Sequence, residues 1–336
     1  MKKLYFIGPK FLYKNEIFNL QSKQNWDNAL YPFYLLKEKF KEKGIELQTY
    51  DYYKKGETDY ALLFQDFPKN IDEYIKDHPT AKKFLFIYES PIVRPENQTI
   101  ENYKHFDKVF TWNTKLVDNK KIFRLSYARK IPQTLDIAAP KTKLATGAFG
   151  YKFQTNPVEL YSERIRAIRW FEANHPNDFD LYGYGWNERY FTGAFKRLNK
   201  FKILKKIFAP HFPSYKGFVD NKKDVYSNYR FVICYENSMY PDYVTEKILD
   251  CLLCGSVPIY LGAPNVTDFI PENAFVDKRK FASYEDLYSF LKNMPEEKYQ
   301  EYLTAIKNFV EGEKMYPFSA DCFAKTLTEE ISKSII

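Results

Sequence analysis

The stretch YRFVICYENSMYPDYVTEKILDCLLCGSVPIYLG, residues 229–262, decides the fold of the second half of this chain. Its first apolar run, Tyr229–Cys234, predicts a buried strand, and the pattern of Tyr243–Cys254 predicts a helix that ends before Gly255. A further apolar run, Val257–Leu261, predicts a second strand. Strand, helix and strand in this order are typical of a parallel sheet covered by helices.

The polar residues of this stretch fall at one end of the predicted unit. The first strand brings Asn237 to its carboxyl end, and Asp242 is a candidate N-cap for the helix. On that helix Tyr243, Glu246 and Lys247 share a face, because residues three and four apart are neighbours. A ring, a carboxylate and an ammonium are the groups that a base, a ribose and a phosphate require. An exposed ion pair beside a surface tyrosine is the alternative interpretation.

The same alternation of strands and helices runs through the rest of the 336 residues. It predicts two doubly wound α/β domains that face each other across a cleft, joined near a Pro, Ala, Lys and Thr-containing linker at Pro132–Lys143. We place the domains at residues 1–140 and 141–315, followed by a tail helix at 316–336. In such sheets ligands bind beyond the carboxyl ends of the strands.

The composition excludes several classes of function. The net charge of +8 favours an anionic partner, but acidic and basic residues interleave and no nucleic-acid-binding signature occurs, so we predict no nucleic-acid partner. Neither a G-x-G-x-x-G nor a Walker motif is present, which argues against a dehydrogenase or a P-loop enzyme. Cys251 and Cys254 lie in an apolar helical pattern, and we interpret them as core residues rather than as a metal or redox site.

Residues 229–262 resemble the donor-binding motif of family 10 glycosyltransferases, the α-1,3/4-fucosyltransferases. Three segments carry the resemblance, namely Tyr229–Ser238, Asp242–Lys247 and Gly255–Gly262. Tyr215–Val219 and Phe269–Pro271 look like the bacterial branch of the family. The resemblance extends over most of residues 144–280 and reaches the N-terminal half only at scattered points.

The resemblance implies a GT-B fold with two Rossmann-like domains, an N-terminal one for the acceptor and a C-terminal one for GDP-fucose. It also implies roles for the polar face described above. Tyr243 would contact the guanosine, Glu246 the ribose and Lys247 the diphosphate, while Asn237 would line the donor pocket.

A second cation and a base complete the predicted site. Arg164 follows the predicted strand Leu144–Phe149 near a helix N-terminus, where a diphosphate is favoured, and it resembles the family's pyrophosphate-binding arginine. Arg166 and Arg169 are its rivals. Glu89, at the end of the predicted strand Lys83–Tyr88, matches the family's E-S-P-like segment that holds the proposed general base, with a capping carboxylate as the alternative.

The expected reaction is transfer of L-fucose from GDP-β-L-fucose to an acceptor glycan, with inversion to an α-L-fucoside. O3 of GlcNAc, as in Lewis-type acceptors, is the expected target, and an O-antigen of lipopolysaccharide or another surface glycan is the alternative. There are two alternatives for the function. The chain could be a family 10 enzyme that uses another GDP-sugar, or a catalytically silent protein that binds a glycan or a nucleotide. No metal is expected as a requirement, although a divalent ion could stimulate the reaction, and Asp178-Phe179-Asp180 is interpreted as a turn rather than a metal motif.

The expected location is the cytoplasm of a bacterium or a virus-infected cell. The N-terminal apolar run is too short for a signal peptide, and no run approaches the length of a transmembrane helix. The basic, amphipathic segment 195–208 predicts a peripheral contact with an anionic membrane. A helix or loop packed on the second domain is the alternative for this segment.

Overall fold

A computed structural model describes residues 2–191 and 193–336, and it contains two parallel sheets of six strands each. The first sheet has the order β2-β1-β3-β4-β5-β6 and the second the order β12-β11-β10-β7-β8-β9. The strands are β1 (Lys2–Ile7), β2 (Ile45–Thr49), β3 (Tyr60–Gln65), β4 (Lys82–Phe86), β5 (Lys108–Thr111), β6 (Ile122–Arg124), β7 (Lys143–Ala148), β8 (Phe179–Tyr182), β9 (Tyr215–Gly217), β10 (Tyr229–Tyr235), β11 (Val257–Leu261) and β12 (Val276–Asp277).

Helices cover both sheets. They are α1 (Tyr31–Glu42), α2 (Ile71–Asp77), α3 (Tyr161–Asn174), α4 (Lys202–Ile207), α5 (Lys222–Tyr226), α6 (Glu246–Leu253), α7 (Tyr284–Lys292), α8 (Glu296–Val310) and α9 (Ala320–Ile335). The predicted α/β architecture of two doubly wound sheets is therefore confirmed.

The central strands of the second sheet are buried on both faces. Every residue of β11 is buried, and so is all of β10 except Arg230, which is why these strands read as continuous apolar runs. Burying each large apolar side chain contributes about 1.5–3 kcal/mol. The two strands pair in register from Phe231 with Val257 to Tyr235 with Leu261, so both end at the same edge of the sheet.

The C-terminal helix α9 packs on the first sheet rather than on the second. Phe323 makes an edge-to-face contact with Phe33 of α1, with ring centroids 5.5 Å apart, and Leu327 and Ile331 join the same buried cluster. The chain therefore returns to its first half after completing the second sheet. The proposed domain limits at 140 and 315 remain predictions.

Two predicted helix starts are wrong, for the same physical reason. The spacing of apolar residues over Trp26–Lys43 predicts a helix from Trp26. This helix begins at Tyr31, because Asp27 and Asn28 have φ angles of +51° and +55°. The helix expected from Tyr243 begins at Glu246, because Asp242 has a φ of +66°. A residue in the left-handed region cannot continue a right-handed helix.

Candidate functional site

A cavity of about 330 Å³ lies between the carboxyl ends of the two sheets. All six residues predicted for the site line it, namely Glu89, Arg164, Asn237, Tyr243, Glu246 and Lys247. They come from the loop after β4, from α3, from the loop after β10 and from the start of α6. Topology alone brings these separate segments together, since parallel strands present their carboxyl ends to the same crevice.

The loop between β10 and α6 is held by the buried carboxylate of Glu236. This carboxylate, which is 0% exposed, accepts hydrogen bonds from the backbone N–H of Thr245 at 2.8 Å and from its hydroxyl at 2.7 Å. Glu236 also packs closely against Gly262, where a Cβ would lie 2.4 Å from Cγ of Glu236 and would therefore clash. The N-cap of α6 and the last residue of the quoted motif thus meet around one carboxylate.

Thr245, not Asp242, caps helix α6. The Thr245 side chain accepts a hydrogen bond from the backbone N–H of Lys247, whereas the Asp242 carboxylate accepts hydrogen bonds from Thr114 and Asn265. Asp242 therefore ties the loop to the first half of the chain. The predicted N-cap role of Asp242 is wrong because the left-handed turn at this residue moves the helix start by three positions.

Lys247 and Glu246 form an ion pair at the first turn of α6. The ammonium of Lys247 lies 2.9 Å from Oε1 of Glu246 and 3.4 Å from Oε2 of Glu236. Burial lowers the pKa of Lys247, but the two carboxylates outweigh that effect and raise it, so the side chain stays charged. Burial raises the pKa of Glu246, but Lys247, Arg129 and Lys222 outweigh it and hold the pKa below its usual value.

Arg164 is almost fully buried beside this pair. Its Nε and Nη2 donate to the carbonyl oxygen of Tyr235 at 3.1 and 2.6 Å, and Nη2 also donates to Oδ1 of Asn237 at 3.1 Å. The guanidinium packs over the rings of Phe149 and Tyr161. Burial lowers its pKa from a very high starting value, so the group remains a cation.

Arg166 and Arg169, the rivals of Arg164, lie outside the cavity. Arg166 is exposed and pairs with Glu163. Arg169 pairs with Glu172 at 2.6 Å and stacks over the ring of Phe212. Both belong to the outer surface of α3, as expected for residues two and five positions from Arg164 on a helix.

Tyr243 lies before helix α6 rather than on it, and its ring is 1% exposed. The ring packs against Trp112 and Tyr127 of the first half, with centroids at 5.1 and 6.1 Å. Its hydroxyl accepts a long hydrogen bond from Asn237, at 3.5 Å. The buried ring leaves little area for stacking on a base, so the guanosine contact expected from the resemblance stays a prediction.

Glu89 faces Lys247 and Glu246 from the first half of the chain. Burial raises the pKa of Glu89 to about 7, and the Asp66 carboxylate adds to the rise. Oε2 of Glu89 is buried and has no hydrogen-bond partner among the described residues. A half-buried carboxylate with one buried, unpaired oxygen and a pKa near neutrality has the properties of a general base.

Asp66, at the carboxyl end of β3, positions the loop that carries Glu89. One of its carboxylate oxygens accepts the backbone N–H groups of Tyr88 at 2.8 Å and Glu89 at 2.9 Å, and the Asn97 amide at 2.8 Å. Asp66 was not predicted from the sequence, although it follows the apolar run Tyr60–Phe64 closely.

Lys152 is a third cation that the sequence analysis missed. It lines the cavity from the loop after β7, and it lies close enough to Glu89 for each group to influence the pKa of the other. Lys152 is the one basic residue in segment 150–157, between the predicted strand Leu144–Phe149 and the helix that carries Arg164. This position could have indicated a second phosphate-binding cation.

A buried ion network joins α6 to the first half of the chain. Lys222 lies 2.6 Å from Asp250 of α6 and 3.1 Å from Asp27, and Asp250 also accepts a hydrogen bond from Arg129 at 2.6 Å. Two acids and two bases balance each other in this network. Asp27 and Lys222 also line the cavity, so the network fixes the position of the helix that begins with Glu246.

The Asp178-Phe179-Asp180 segment is not arranged to bind a metal ion. Asp178 pairs with Lys292 at 2.9 Å, and Asp180 lies within β8 and pairs with Lys143 at 2.8 Å. Asp178 precedes β8, as the predicted turn requires, whereas Phe179 and Asp180 already belong to the strand. Within residues 2–191 and 193–336, no group of three His, Cys, Asp or Glu side chains is placed to hold a metal ion.

Cys251 and Cys254 are free thiols. Cys251 is fully buried, and its Sγ donates to the carbonyl oxygen of Ser256 at 3.2 Å, while Cys254 is half-buried at the end of α6. Burial raises the pKa of both thiols. This placement agrees with the predicted core role.

Segment 195–208 exposes five of its apolar side chains, while Leu198 and Leu204 are half-buried. Phe195, Phe201, Ile203, Ile207 and Phe208 are between 58% and 73% exposed. Asn199 and Lys205 hydrogen-bond to residues of 188–191, so both the membrane contact and its alternative, a helix or loop packed on the second domain, stay predictions. None of the helices in the described part of the chain has the length and apolar character needed to span a bilayer.

Sequence comparison relates the second half of the chain to known transferases. Residues 189–322 match the family model described as glycosyltransferase family 10 (fucosyltransferase) C-term. The chain is 39% identical over 111 residues to an alpha-(1,4)-fucosyltransferase of Arabidopsis thaliana, covering 32% of this chain and 28% of the relative. It is 39% identical over 75 residues to alpha-(1,3)-fucosyltransferase FucT of Helicobacter pylori, covering 22% and 16%. These alignments span less than a third of either relative.

Structural comparison extends over nearly the whole chain. A crystal structure of an alpha1,3-fucosyltransferase with GDP-fucose is similar with a TM-score of 0.55 at 16% identity, covering 98% of this chain and 90% of that one. The Anabaena protein HepE in complex with UDP-glucose is similar with a TM-score of 0.54 at 10% identity, covering 99% and 100%. At such identities the likeness concerns the fold, and the predicted GT-B architecture is confirmed.

Proposed function

We propose that this chain, which belongs to glycosyltransferase family 10 through residues 189–322, is an inverting fucosyltransferase with GDP-β-L-fucose as donor. The observation that carries the proposal is the meeting of Glu89 from one sheet with Arg164, Glu246 and Lys247 from the other in one cavity. A base on one side and two cations on the other are what glycosyl transfer from a nucleotide diphosphate requires.

In the proposed reaction, Glu89 accepts the proton of an acceptor hydroxyl as its oxygen attacks the anomeric carbon of the donor. The new carbon–oxygen bond forms on the face opposite the diphosphate. The bond from the anomeric carbon to the diphosphate oxygen breaks, and GDP leaves with the bonding electrons. The configuration inverts to an α-L-fucoside, and we propose O3 of a GlcNAc residue as the acceptor position.

Arg164 and Lys247 supply the positive charge that stabilises the leaving diphosphate. They lie at the cavity wall with carboxylate and carbonyl partners that hold them in place before the substrate arrives. Such preorganised charge is usually the largest single contribution to a reaction of this kind. We therefore propose no metal requirement, and a divalent ion would act only as a stimulator. Glu246, which stays ionised, would accept hydrogen bonds from the ribose hydroxyls.

Calorimetric titration of the protein with GDP-fucose, GDP-mannose and UDP-galactose tests the donor. We expect GDP-fucose to bind at least tenfold more tightly than UDP-galactose. Preferred binding of GDP-mannose would instead favour a family 10 enzyme for another GDP-sugar. Donor binding without turnover on any glycan of an acceptor array would favour a silent binding protein.

Replacement of Arg164 tests which arginine of α3 serves the diphosphate. We expect Arg164→Ala to raise the Kd for GDP at least tenfold, because a buried cation at the site is lost. Arg166→Ala is the matched control, since Arg166 lies on the same helix but outside the cavity. It should change the Kd less than twofold. Equal effects of the two substitutions would contradict the assignment.

We also propose that segment 195–208 docks the protein on an anionic membrane. Residues 189–208 contain seven basic and no acidic residues, so the rest of the chain accounts for only +1 of the net charge of +8. The exposed apolar side chains of this segment alternate with its lysines. Large exposed apolar groups among clustered cations suit the interface of a bilayer that carries negative lipids.

Vesicle flotation measures this contact. We expect the protein to bind vesicles of phosphatidylglycerol and phosphatidylcholine but not of phosphatidylcholine alone, with binding that weakens as salt is raised. The triple substitution Phe195→Ser, Ile203→Ser and Ile207→Ser should reduce the bound fraction at least fivefold without changing GDP affinity. Phe11→Ser, which removes an equally exposed phenylalanine on the first half, is the control. Binding that the triple variant retains in full would contradict the proposal.

A further inference from the structure

Each sheet has one place where neighbouring strands lead the chain to opposite sides. In the second sheet this is the gap between β7 and β10, and the loops after those two strands lead to Arg164 and Asn237. In the first sheet it is the gap between β1 and β3, which no predicted site residue occupies. Ligands of open α/β sheets bind at such switch points, so the first sheet has room for a ligand of its own.

A groove of about 370 Å³ lies at this second switch point. Its walls are the residues that follow β1, from Gly8 to Lys10 with Tyr13, and those that follow β3, from Gln65 to Asn70. Arg94, from the loop after β4, also lines the groove and lies near Asp66. The groove is thus built from the carboxyl ends of three neighbouring strands.

The groove adjoins the cavity that holds Glu89. Gln65 lines both, and its Oε1 is buried without a hydrogen-bond partner in the part of the chain that the structure describes. Asp66 lines the groove while one of its oxygens accepts the backbone N–H of Glu89. A Cβ at Gly8 would lie 2.5 Å from Cε1 of Phe6 and 3.2 Å from Oε1 of Gln65, so only glycine fits here without moving the Phe6 ring. A ligand with a hydroxyl at Glu89 would therefore lie next to the groove at Gln65.

The charge of the groove specifies the class of ligand. Lys10, Lys69 and Arg94 line it, and Asp66 is the one acidic residue among the lining residues. The Asp66 oxygen nearest the loop is already used by three donors, two backbone N–H groups and the Asn97 amide. Three basic residues thus stand against one acidic residue in a lining that is otherwise uncharged and includes the half-buried ring of Tyr13.

We propose that this groove is an acceptor subsite that selects saccharides carrying an anionic group, a carboxylate or a phosphate, next to the sugar that reacts. The inference rests on the proposed transferase function, because that function assigns Glu89 to the acceptor hydroxyl. It adds the chemical class of the acceptor. Lys10, Lys69 and Arg94 act here as specificity residues, not as catalytic ones.

Direct binding of three saccharides, measured by saturation-transfer NMR without nucleotide, tests the groove. The probes are N-acetyllactosamine, its 3′-sialyl form and N-acetylglucosamine 1-phosphate, which distinguish a neutral glycan, a carboxylate and a phosphate. We expect one of the anionic probes to bind at least fivefold more tightly than N-acetyllactosamine. The double substitution Lys10→Gln and Lys69→Gln should remove that preference, since two exposed ion contacts account for about fivefold in affinity.

The matched control is Lys41→Gln with Lys43→Gln, two exposed lysines at the end of α1 that line none of the cavities. This variant should keep the preference for the anionic probe. Equal affinity for all three probes, or a preference that survives in the Lys10→Gln, Lys69→Gln variant, would overturn the subsite. If the wild-type protein did not bind GDP in a parallel calorimetric titration, the proposed function would be contradicted instead. The two results are distinguishable because the NMR measurement contains no nucleotide.

Discussion

Replacing Glu89 by glutamine is expected to lower kcat by about 10²–10⁴-fold, the usual contribution of a positioned general base. Glutamine keeps the shape of the side chain but cannot accept the proton of the acceptor hydroxyl. The Kd for GDP should change less than twofold, because Glu89 belongs to the first half of the chain and the proposed donor contacts belong to the second. Single-turnover kinetics with GDP-fucose and calorimetry with GDP measure the two quantities.

The pH dependence gives an independent check on Glu89. A base acts in its deprotonated form, and burial raises the pKa of this carboxyl to about 7. The value of kcat/KM should therefore increase about tenfold per pH unit below pH 7 and become level above it. Glu101→Gln, an exposed carboxylate of the same half, serves as the control and should keep both the rate and the profile. A wild-type rate in Glu89→Gln would remove Glu89 from the mechanism.

Replacing Lys247 by alanine is expected to lower kcat by about 10²–10³-fold, as for loss of one group that stabilises developing negative charge. The Kd for GDP should rise, whereas the Kd for guanosine, which has no phosphate, should not. This contrast separates a phosphate contact from general damage to the pocket. Calorimetry with both ligands and steady-state kinetics make the comparison.

Lys247 also stabilises the fold, and a control variant must separate this effect from its proposed contact with the phosphate. Its ammonium is a partner of the buried Glu236 carboxylate, so Lys247→Ala leaves that carboxylate with Thr245 alone and lowers the free energy of unfolding. Glu236→Gln changes the same contact from the other side and keeps the ammonium. We expect this control to be less stable in urea but to bind GDP within threefold of wild type. If both variants lost GDP affinity equally, the phosphate role of Lys247 would be wrong.

The two-sheet architecture was predictable because parallel strands are buried on both faces. Runs such as Tyr229–Cys234 and Val257–Leu261 appear in the sequence as continuous apolar segments, and helical periodicity separates them. Glu89, Arg164 and Asn237 could likewise be chosen without a structure, since each follows a predicted strand. The family resemblance supplied their expected roles.

The errors and omissions share one cause, which is that the conformation of a loop depends on partners far away in the sequence. Asp242 looks like an N-cap, but its contacts with Thr114 and Asn265 stabilise a left-handed turn, and the helix starts after it. Asp27 looks like part of a helix until Lys222 and Asp250 complete its ion network. Hydrophobic periodicity and capping patterns depend on neighbours in the sequence, so they do not indicate such distant partners.

The sequence of residues 229–262 by itself determined a strand, a helix and a strand with polar residues at one end, because burial and periodicity are local properties. Only the tertiary structure decided what those polar residues face. It places Glu236 between Thr245 and Gly262 and brings Glu89 and Lys247 into one cavity. It also opens the groove beside Gln65. The reason is physical. Burial and the charge of Asp66 raise the pKa of Glu89, and neither acts on this side chain until the chain has folded.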